Sequence, residues 1–257
     1  MSWLKMTSKS LFLMKGGTDE FLKKVDLQPH GEVANKEFKF DIPIDWGKGG
    51  DVPRVMVIDV GSKQKVEKST QTFSAGGVFA RVVTRAEWSA APHKSKFETI
   101  DHPEFIVVHH TQGAPRRGEA KQVVKNIQDF HMNDRSRLWS DIGYGFLNMV
   151  DGTLIEGREG SLKQAIIGNA VRGAHAGTDR GNRSPSVSNE GNFMTTPMDD
   201  NQWQSLVDMC AALCESCNID PSMIRGHKDF MPTDCPGNWL YDRLTQLIKD
   251  VAAKLAS

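Results

Sequence analysis

The sequence has no excess of charge of either sign, since 32 basic residues balance 32 acidic residues over 257 positions. The balance holds along the chain, with 12 basic and 10 acidic residues up to Ala80 and 20 basic and 22 acidic residues after it. Proteins that bind nucleic acid normally carry a basic face or stripe. The sequence therefore argues against a nucleic-acid partner.

Long apolar runs are also missing. Runs such as Leu11–Met14, Phe105–Val108 and Ala165–Ile167 are far shorter than the ~20 residues that cross a bilayer. Lys5 and Lys9 precede the first run, but it is too brief for a secretory signal and no small-residue cleavage site follows it. We expect no transmembrane segment, synthesis in the cytoplasm without a signal peptide, and no standard route of export.

Cysteine is scarce, with four residues in the whole chain. Cys210, Cys214 and Cys217 recur at helical spacing on one face of a predicted helix. Two interpretations are open for them: three small buried side chains on a core stripe, or a second metal or redox site. No disulfide framework is indicated, which suits synthesis in a reducing compartment.

The first 80 residues lack most of the residue types that catalysis uses, with one histidine, His30, and no cysteine. Their apolar and alternating segments predict a β-rich extension or small module. It either recognises the cell wall, a partner or a delivery or immunity protein, or it packs on the domain formed by residues 81–257. Strands are predicted at Glu37–Ile44 and Arg54–Val60, and short helices at Trp3–Ser10 and Asp19–Val25.

The stretch Arg225–Gly237 sets His227 and Cys235 eight positions apart in a loop rich in Pro and Gly. Such a loop cannot be regular helix, so it can bring an imidazole and a thiolate to one point. Zinc accepts both ligand types. A third ligand is offered by His109 or His110 at the end of an apolar strand, where alternate side chains face opposite ways. Three protein ligands leave a position for water, as in hydrolytic zinc sites.

Motifs follow one another in a specific order from about Val82 to Leu255. They are Thr84–Trp88, Val108–Thr111, Asp141–Phe146, Asp151–Thr153, Glu156–Arg158, Gly173–Ala176, Glu190–Phe193 and His227–Gly237. In this ordered set, over roughly two thirds of the chain, the sequence resembles the zinc-dependent N-acetylmuramoyl-L-alanine amidases. The branch is the one that holds phage lysozyme-type amidases and the animal peptidoglycan recognition proteins.

The resemblance implies one Zn²⁺ held by His109, His227 and Cys235, with His110 packing or hydrogen-bonding beside the site. It also implies Tyr144 and Thr233 as catalytic groups that orient water or stabilise an oxyanion. Our candidates for substrate contact are His175, His110 and Asn192. The general base stays open, because Ser188 stands where the branch that recycles wall fragments has a glutamate.

The alternation of segments predicts an α/β fold with a mixed central β-sheet flanked by helices. The polar stretch Thr178–Ser188 is predicted as an exposed rim loop. Arginines on predicted rim loops are treated as solvated charges, although a stem-peptide carboxylate could meet them: Arg116, Arg117, Arg180 and Arg183.

The function predicted from these observations is hydrolysis of the amide between N-acetylmuramic acid and the L-alanine of the peptide stem, with peptidoglycan or a muropeptide as substrate. Action on the cell wall would follow non-standard delivery or lysis, as for an endolysin or an antibacterial toxin. Two alternatives remain. One is a peptidoglycan-binding module without catalysis, and the other is a cytosolic amidase that recycles soluble muropeptides.

Overall fold

The computed structural model describes residues 77–256 and, before them, five strands whose side chains are not described. Contacts divide the chain into two compact units, Met1–Gly76 and Gly77–Ser257. The predicted domains, 1–80 and 81–257, stay a prediction, because compactness does not show that either part folds alone.

The first unit contains strands where two helices were predicted. The chain adopts an extended conformation at Leu4–Met6 and Phe21–Asp26, so the predictions of helix over these residues are wrong. One strand pairs antiparallel with a neighbour on each side, and two further strands form a separate antiparallel pair. The strands are β1 (Leu4–Met6), β2 (Ser10–Met14), β3 (Phe21–Asp26), β4 (Lys36–Phe38) and β5 (Arg54–Ile58), with order β3-β2-β5 and β1-β4.

The second unit alternates short strands with helices. Its strands are β6 (Thr99–Ile100), β7 (Ile106–His110), β8 (Phe146–Asn148), β9 (Leu154–Glu156), β10 (Ala170–Val171), β11 (Ser186–Asn189) and β12 (Ile224–Gly226). Its helices are α1 (Ala120–Asn133), α2 (Ser161–Ile166), α3 (Asp179–Asn182), α4 (Asp200–Cys217), α5 (Asn238–Tyr241) and α6 (Leu244–Leu255).

Five of these strands form the central sheet, in the order β12-β7-β11-β8-β9. β7 runs parallel to both β12 and β11, β8 runs parallel to β11, and β9 returns antiparallel to β8. The return follows a turn at Asp151-Gly152, a pair typical of hairpin turns, where Gly152 has φ of +86°, a conformation that glycine adopts at little cost. The predicted α/β fold with a mixed sheet and flanking helices is confirmed.

The stretch predicted as an exposed rim loop is instead a helix and a central strand. Ser186 and Ser188 on β11 are 1% and 0% exposed, and the strand lies between β7 and β8. Small polar side chains fit a strand that is covered on both faces when their backbone groups are paired on both sides. The polar composition concealed this strand, because buried strands are usually rich in Val and Ile.

Two helical segments also differ from expectation. The sequence favours mixed loop and short strand over residues 162–177, but this region begins inside α2. The apolar pattern also predicts one terminal helix over residues 239–255, which the structure divides into α5 and α6. The sequence predicts a helix at Asn201–Cys217 capped by Asp199-Asp200; α4 begins one residue earlier, at Asp200, and the Asp199 side chain pairs with Arg117 and makes no capping bond. Among the residues that the structure describes, no helix combines the length and apolar character needed to cross a bilayer.

Candidate metal centre and its cavity

Strand β7 delivers the first candidate ligand. Its residues Ile106, Val107 and Val108 are 0% exposed, and the strand lies inside the sheet between β12 and β11. Because successive side chains alternate, His109 and His110 leave the strand on opposite sides. The His109 Nδ1 atom lies 3.5 Å from the Cys235 Sγ atom, whereas His110 Nδ1 accepts a hydrogen bond from the Phe193 N–H.

The loop after β12 carries the other two candidate ligands, His227 and Cys235. His227 begins a 3-10 turn directly after the strand, and Gly226 N–H donates to the Asp229 carboxylate at 2.8 Å within this turn. The backbone N–H of Lys228 donates to the carbonyl of Cys235 at 3.1 Å, which draws the two ends of the loop together. The Cys235-Pro236 peptide bond is cis.

The two histidines and the cysteine converge on one point. One ligand atom from each of His109, His227 and Cys235 lies within 4.8 Å of the other two. Zinc bonds of about 2.0–2.3 Å in a tetrahedral site place ligand atoms about 3.3–3.7 Å apart, so small side-chain rotations close the set. The His227 Nε2 atom is buried and has no hydrogen-bond partner, which a metal ion would satisfy. The residues present therefore fit zinc.

The protonation states suit a metal as well. Burial holds the pKa of His109 well below its usual value and lowers that of His227, so both rings are neutral near pH 7. Burial raises the pKa of the Cys235 thiol to about 12. The thiolate that zinc requires therefore forms only together with a bound cation.

A cavity of about 490 Å³ opens above the centre. Among its lining residues are His227, Cys235, Tyr144, Thr233 and His110, which brings five of the predicted site residues to one surface. The Tyr144 ring lies 5.3 Å from the His109 ring, centroid to centroid. Burial raises the pKa of Tyr144 to about 12, so its hydroxyl stays protonated and able to donate.

Thr233 offers a second hydroxyl on the same wall. Its Oγ1 accepts a hydrogen bond from the Cys235 N–H at 3.3 Å. The hydroxyl hydrogen therefore remains available to a group in the cavity.

Two predicted substrate contacts lie elsewhere. His175 is 6% exposed, lies within hydrogen-bond distance of the His109 ring and the Ser184 carbonyl, and is absent from the cavity lining. Asn192 is exposed, and its side chain accepts from the Met194 N–H in a local turn. His175 therefore lies behind the His109 ring, and Asn192 lies outside the cavity wall.

The sequence analysis missed lining residues on and after α1, among them Phe130, His131 and Arg137. The amphipathic pattern of residues 119–133 places Phe130 on one helix face with Val123 and Ile127; in the structure Phe130 is 47% exposed, with the Arg137 guanidinium 4.3 Å from its ring. His131 Nδ1 accepts from the Gly143 N–H at 3.1 Å, and burial lowers the His131 pKa to about 4. The neutral ring therefore keeps its hydrogen on Nε2.

Arg137 differs from the four arginines that the sequence placed on the rim. Among the described residues that line the cavity, Arg137 is the one with a cationic side chain. Its guanidinium donates a hydrogen bond to the Ser136 hydroxyl. The others are paired: Arg116 with Glu119, Arg117 with Asp199, Arg180 with Glu104 and Arg183 with Glu98. The signal available in the sequence was the closeness of Phe130, His131 and Arg137 along the chain, at the end of a predicted helix.

The other cysteines have a structural role. Cys210, Cys214 and Cys217 lie buried on α4, and burial raises the pKa of each thiol. Among the described residues, the group of side chains placed to hold a metal is the one at His109, His227 and Cys235. The core-stripe interpretation of the three cysteines is therefore the one that the structure favours.

Fold and donors together define an α/β protein with a candidate zinc centre at the floor of an open cavity. The sequence model of the N-acetylmuramoyl-L-alanine amidase family (Amidase_2) matches residues 100–238, which is more than half of the chain. The chain therefore belongs to this family.

Two curated relatives each match a little under two thirds of the chain. Peptidoglycan-recognition protein SC2 of Drosophila simulans is 30% identical over 166 residues, which is 63% of this chain and 84% of that protein. Peptidoglycan recognition protein 1 of Bos indicus is 27% identical over 168 residues, 64% of this chain and 83% of that protein.

Solved structures agree with the fold. Drosophila PGRP-LB has a TM-score of 0.55 at 27% identity and covers 64% of this chain and 92% of its own. A mutant of PGRP-LB, solved in complex with tracheal cytotoxin, has the same TM-score at 26% identity and covers 65% of this chain and 94% of its own.

Proposed function

We propose that this protein is a zinc-dependent amidase that hydrolyses the bond between N-acetylmuramic acid and the L-alanine of the peptidoglycan stem. The observation that supports this proposal is the convergence of His109, His227 and Cys235 below a cavity lined by Tyr144 and Thr233. Membership of the amidase family supports this reaction class.

The residues divide the chemistry between them. Zinc, when bound by His109, His227 and Cys235, polarises the carbonyl and lowers the pKa of a water ligand towards ~7. The hydroxyl of Tyr144 donates to the oxyanion that forms on the amide carbonyl, because it stays protonated at neutral pH. The Thr233 hydroxyl, whose oxygen is held by the Cys235 N–H, donates from the same wall.

Arg137 provides the charge for the peptide stem. Its guanidinium lies 4.3 and 5.5 Å from the ring centroids of Phe130 and Trp139. Among the described residues it forms no close ion pair, although its charge helps to lower the pKa of exposed Asp134. A stem peptide carries free carboxylates, and a charge-assisted bond to arginine is about twice as strong as a neutral one. His131, neutral with a hydrogen on Nε2, offers a donor beside it.

A second function is supported by the names of the relatives, which are recognition proteins. In that case the cavity binds the stem peptide and the amide is not cut. The presence of all three candidate ligands, with Tyr144 and Thr233, favours the hydrolase.

The deciding experiment measures the release of stem peptide from intact sacculi. We expect release with a new N-terminal L-alanine, loss of release in chelator, and recovery with added zinc. Cys235→Ala should abolish release, whereas Cys214→Ala on α4 is the matched control and should retain it. Binding of sacculi without release, at one zinc per chain, would favour the recognition module. Cleavage of soluble muropeptides alone would favour recycling.

We also propose that the enzyme acts on the cell wall outside the cytoplasmic membrane, after lysis or through a delivery apparatus that residues 1–80 engage. The substrate class supports this proposal, and so does the membership of residues 100–238 in the amidase family, which leaves the first unit free for another role. Equal wall cleavage in intact cells with and without residues 1–80 would contradict the delivery role of these residues.

A further inference from the structure

Three groups form a hydrogen-bonded series behind the metal centre. The Nε2 atom of His109 is 3.0 Å from Nδ1 of His175, and the Nε2 atom of His175 is 3.2 Å from the carbonyl oxygen of Ser184. The two imidazole rings meet edge to face, with centroids 4.9 Å apart and an interplanar angle of 82°. His109 is 0% and His175 6% exposed, so this hydrogen-bonded series is buried away from solvent.

The hydrogen positions in this series can be assigned by starting from the Ser184 carbonyl. A carbonyl oxygen only accepts, so the hydrogen between His175 and Ser184 belongs to His175 Nε2. A neutral imidazole carries one hydrogen, which leaves His175 Nδ1 as an acceptor, and His109 Nε2 must then be the donor. The opposite assignment needs a second proton, and therefore a charge, on a ring that is 6% exposed, which burial disfavours.

This hydrogen assignment determines the state of His109 Nδ1, the atom that faces the metal position. With its hydrogen on Nε2, His109 has its lone pair on Nδ1, the atom that lies 3.5 Å from Cys235 Sγ. Metal-bound histidines commonly donate their second nitrogen to an acceptor that fixes both the tautomer and the ring orientation. In this site the acceptor is another histidine, whose own state is set by a backbone carbonyl.

The backbone around His175 is shaped to hold this ring. The side-chain oxygen of Asn182 accepts from the N–H groups of His175 and Ala176, both at 2.8 Å. A Cβ atom on Gly173 would lie 2.2 Å from the His175 ring, so glycine leaves the space that the ring fills. Ring position and acceptor geometry are therefore determined by the segment 173–184.

We propose that His175 is a positioning residue for the metal centre: anchored by the Ser184 carbonyl, it fixes the tautomer and orientation of His109 so that Nδ1 is presented to the metal. This inference rests on the proposed metal-dependent function. It assigns His175 no contact with substrate, in contrast to the expectation from the sequence.

The first test needs no substitution. Long-range ¹H–¹⁵N spectra of the metal-free full-length protein report which ring nitrogen of each histidine carries hydrogen. We expect His109 and His175 both to carry it on Nε2. Hydrogen on Nδ1 of either ring would overturn the proposal.

The second test measures zinc affinity by competition with a chromophoric chelator. His175→Phe keeps a ring but removes the acceptor, and we expect it to weaken zinc binding about 10–100-fold. His175→Asn, which can place an oxygen near the position of Nδ1, should recover much of that loss. His93→Phe is the matched control away from the site and should bind zinc as the unchanged protein does.

The outcomes separate this inference from the proposed function. Zinc affinity in His175→Phe within twofold of the unchanged protein would overturn the positioning role, even if the wall is cleaved. Weakened zinc binding in that variant, with no cleavage by the unchanged protein, would support the positioning role and contradict the hydrolase. If His175→Phe does not fold, the tautomer spectra still decide.

Discussion

The Tyr144 hydroxyl is the group whose removal should separate catalysis from metal binding. Tyr144→Phe deletes the donor but leaves the ring against His109, so zinc should bind at one per chain as before. We expect kcat to fall about 10²–10³-fold, the loss typical of a missing oxyanion donor. Turnover and zinc content, measured on the same preparation, check this. An unchanged kcat would exclude the hydroxyl from the reaction.

Arg137 provides a test of substrate recognition. Arg137→Ala should raise KM for a stem-peptide substrate about tenfold or more with a smaller effect on kcat, because a charge-assisted bond contributes ~1.5–3 kcal/mol. Arg180→Ala is the matched control, since Arg180 already pairs with Glu104 at 3.1 Å. Equal effects in both variants would show that general charge, rather than the position of Arg137, matters.

Proton release on metal binding follows from the three candidate ligands. Burial raises the Cys235 pKa to about 12 and lowers those of His109 and His227, so at pH 7.5 the thiol holds its proton and the rings do not. Zinc should therefore release about one proton per chain, and its affinity should rise about tenfold per pH unit. Calorimetry in buffers of different ionisation enthalpy measures this number. Release near zero or near two would contradict it.

Sequence reasoning found these ligands because their chemistry is local. The loop from His227 to Cys235 and the strand end at His109 each carry their signal in a few residues. The role of His175 was not accessible in this way, since it depends on a carbonyl nine residues away that folds back onto its ring. Arg137 was missed for a related reason: its value lies in the absence of a carboxylate partner, which only the structure shows.

At the scale of elements, the segment between α1 and β8 depends on one carboxylate. Asp141 is 1% exposed and accepts hydrogen bonds from the Gln128 side chain and from the N–H groups of Ile142 and Glu159. It also pairs with Arg85 at 3.1 Å. The carboxylate thus joins α1, the segment that carries Tyr144, and the turn before α2.

Asp141→Ala should destabilise the protein by about 3–5 kcal/mol, because it leaves a largely buried arginine and several donors without their partner. The free energy of unfolding in urea measures the loss. Asp151→Ala is the matched control, since Asp151 is exposed and accepts from the Thr153 N–H in a turn, and it should cost about 1 kcal/mol or less. Similar losses in the two variants would contradict the special role of Asp141.

Elements were predicted where apolar periodicity was present and missed where it was not. The apolar run Phe105–Val108 predicts a strand where β7 lies, and the amphipathic pattern of residues 119–133 predicts a helix where α1 lies. β11 escaped because Ser186, Ser188 and Asn189 are polar, although all are buried. Its position depends on pairing with β7 and β8, which is a tertiary effect that a local pattern does not contain.

At the scale of the whole molecule, the buried histidines make stability depend on pH. Burial is the main cause that lowers the pKa of five of them: His109, His110, His131, His175 and His227. The folded-state values are about 4 for His110 and His131 and about 3 for His175. An unfolded chain has histidine pKa values near ~6.5, so below that pH the unfolded state binds more protons.

The stability of the metal-free protein should therefore be full above about pH 6.5 and decline as the pH falls towards 4, by at most ~1.4 kcal/mol per pH unit for each histidine. Urea midpoints measured in chelator from pH 8 to pH 4 check this. His131→Asn removes one titrating ring, so its decline should be shallower than that of the unchanged protein. Zinc should raise every midpoint above pH 7 and lose this effect at low pH, because protons compete for Cys235. A flat midpoint between pH 6.5 and 4.5 in chelator would show that these rings are already charged, or open to solvent, in the folded protein.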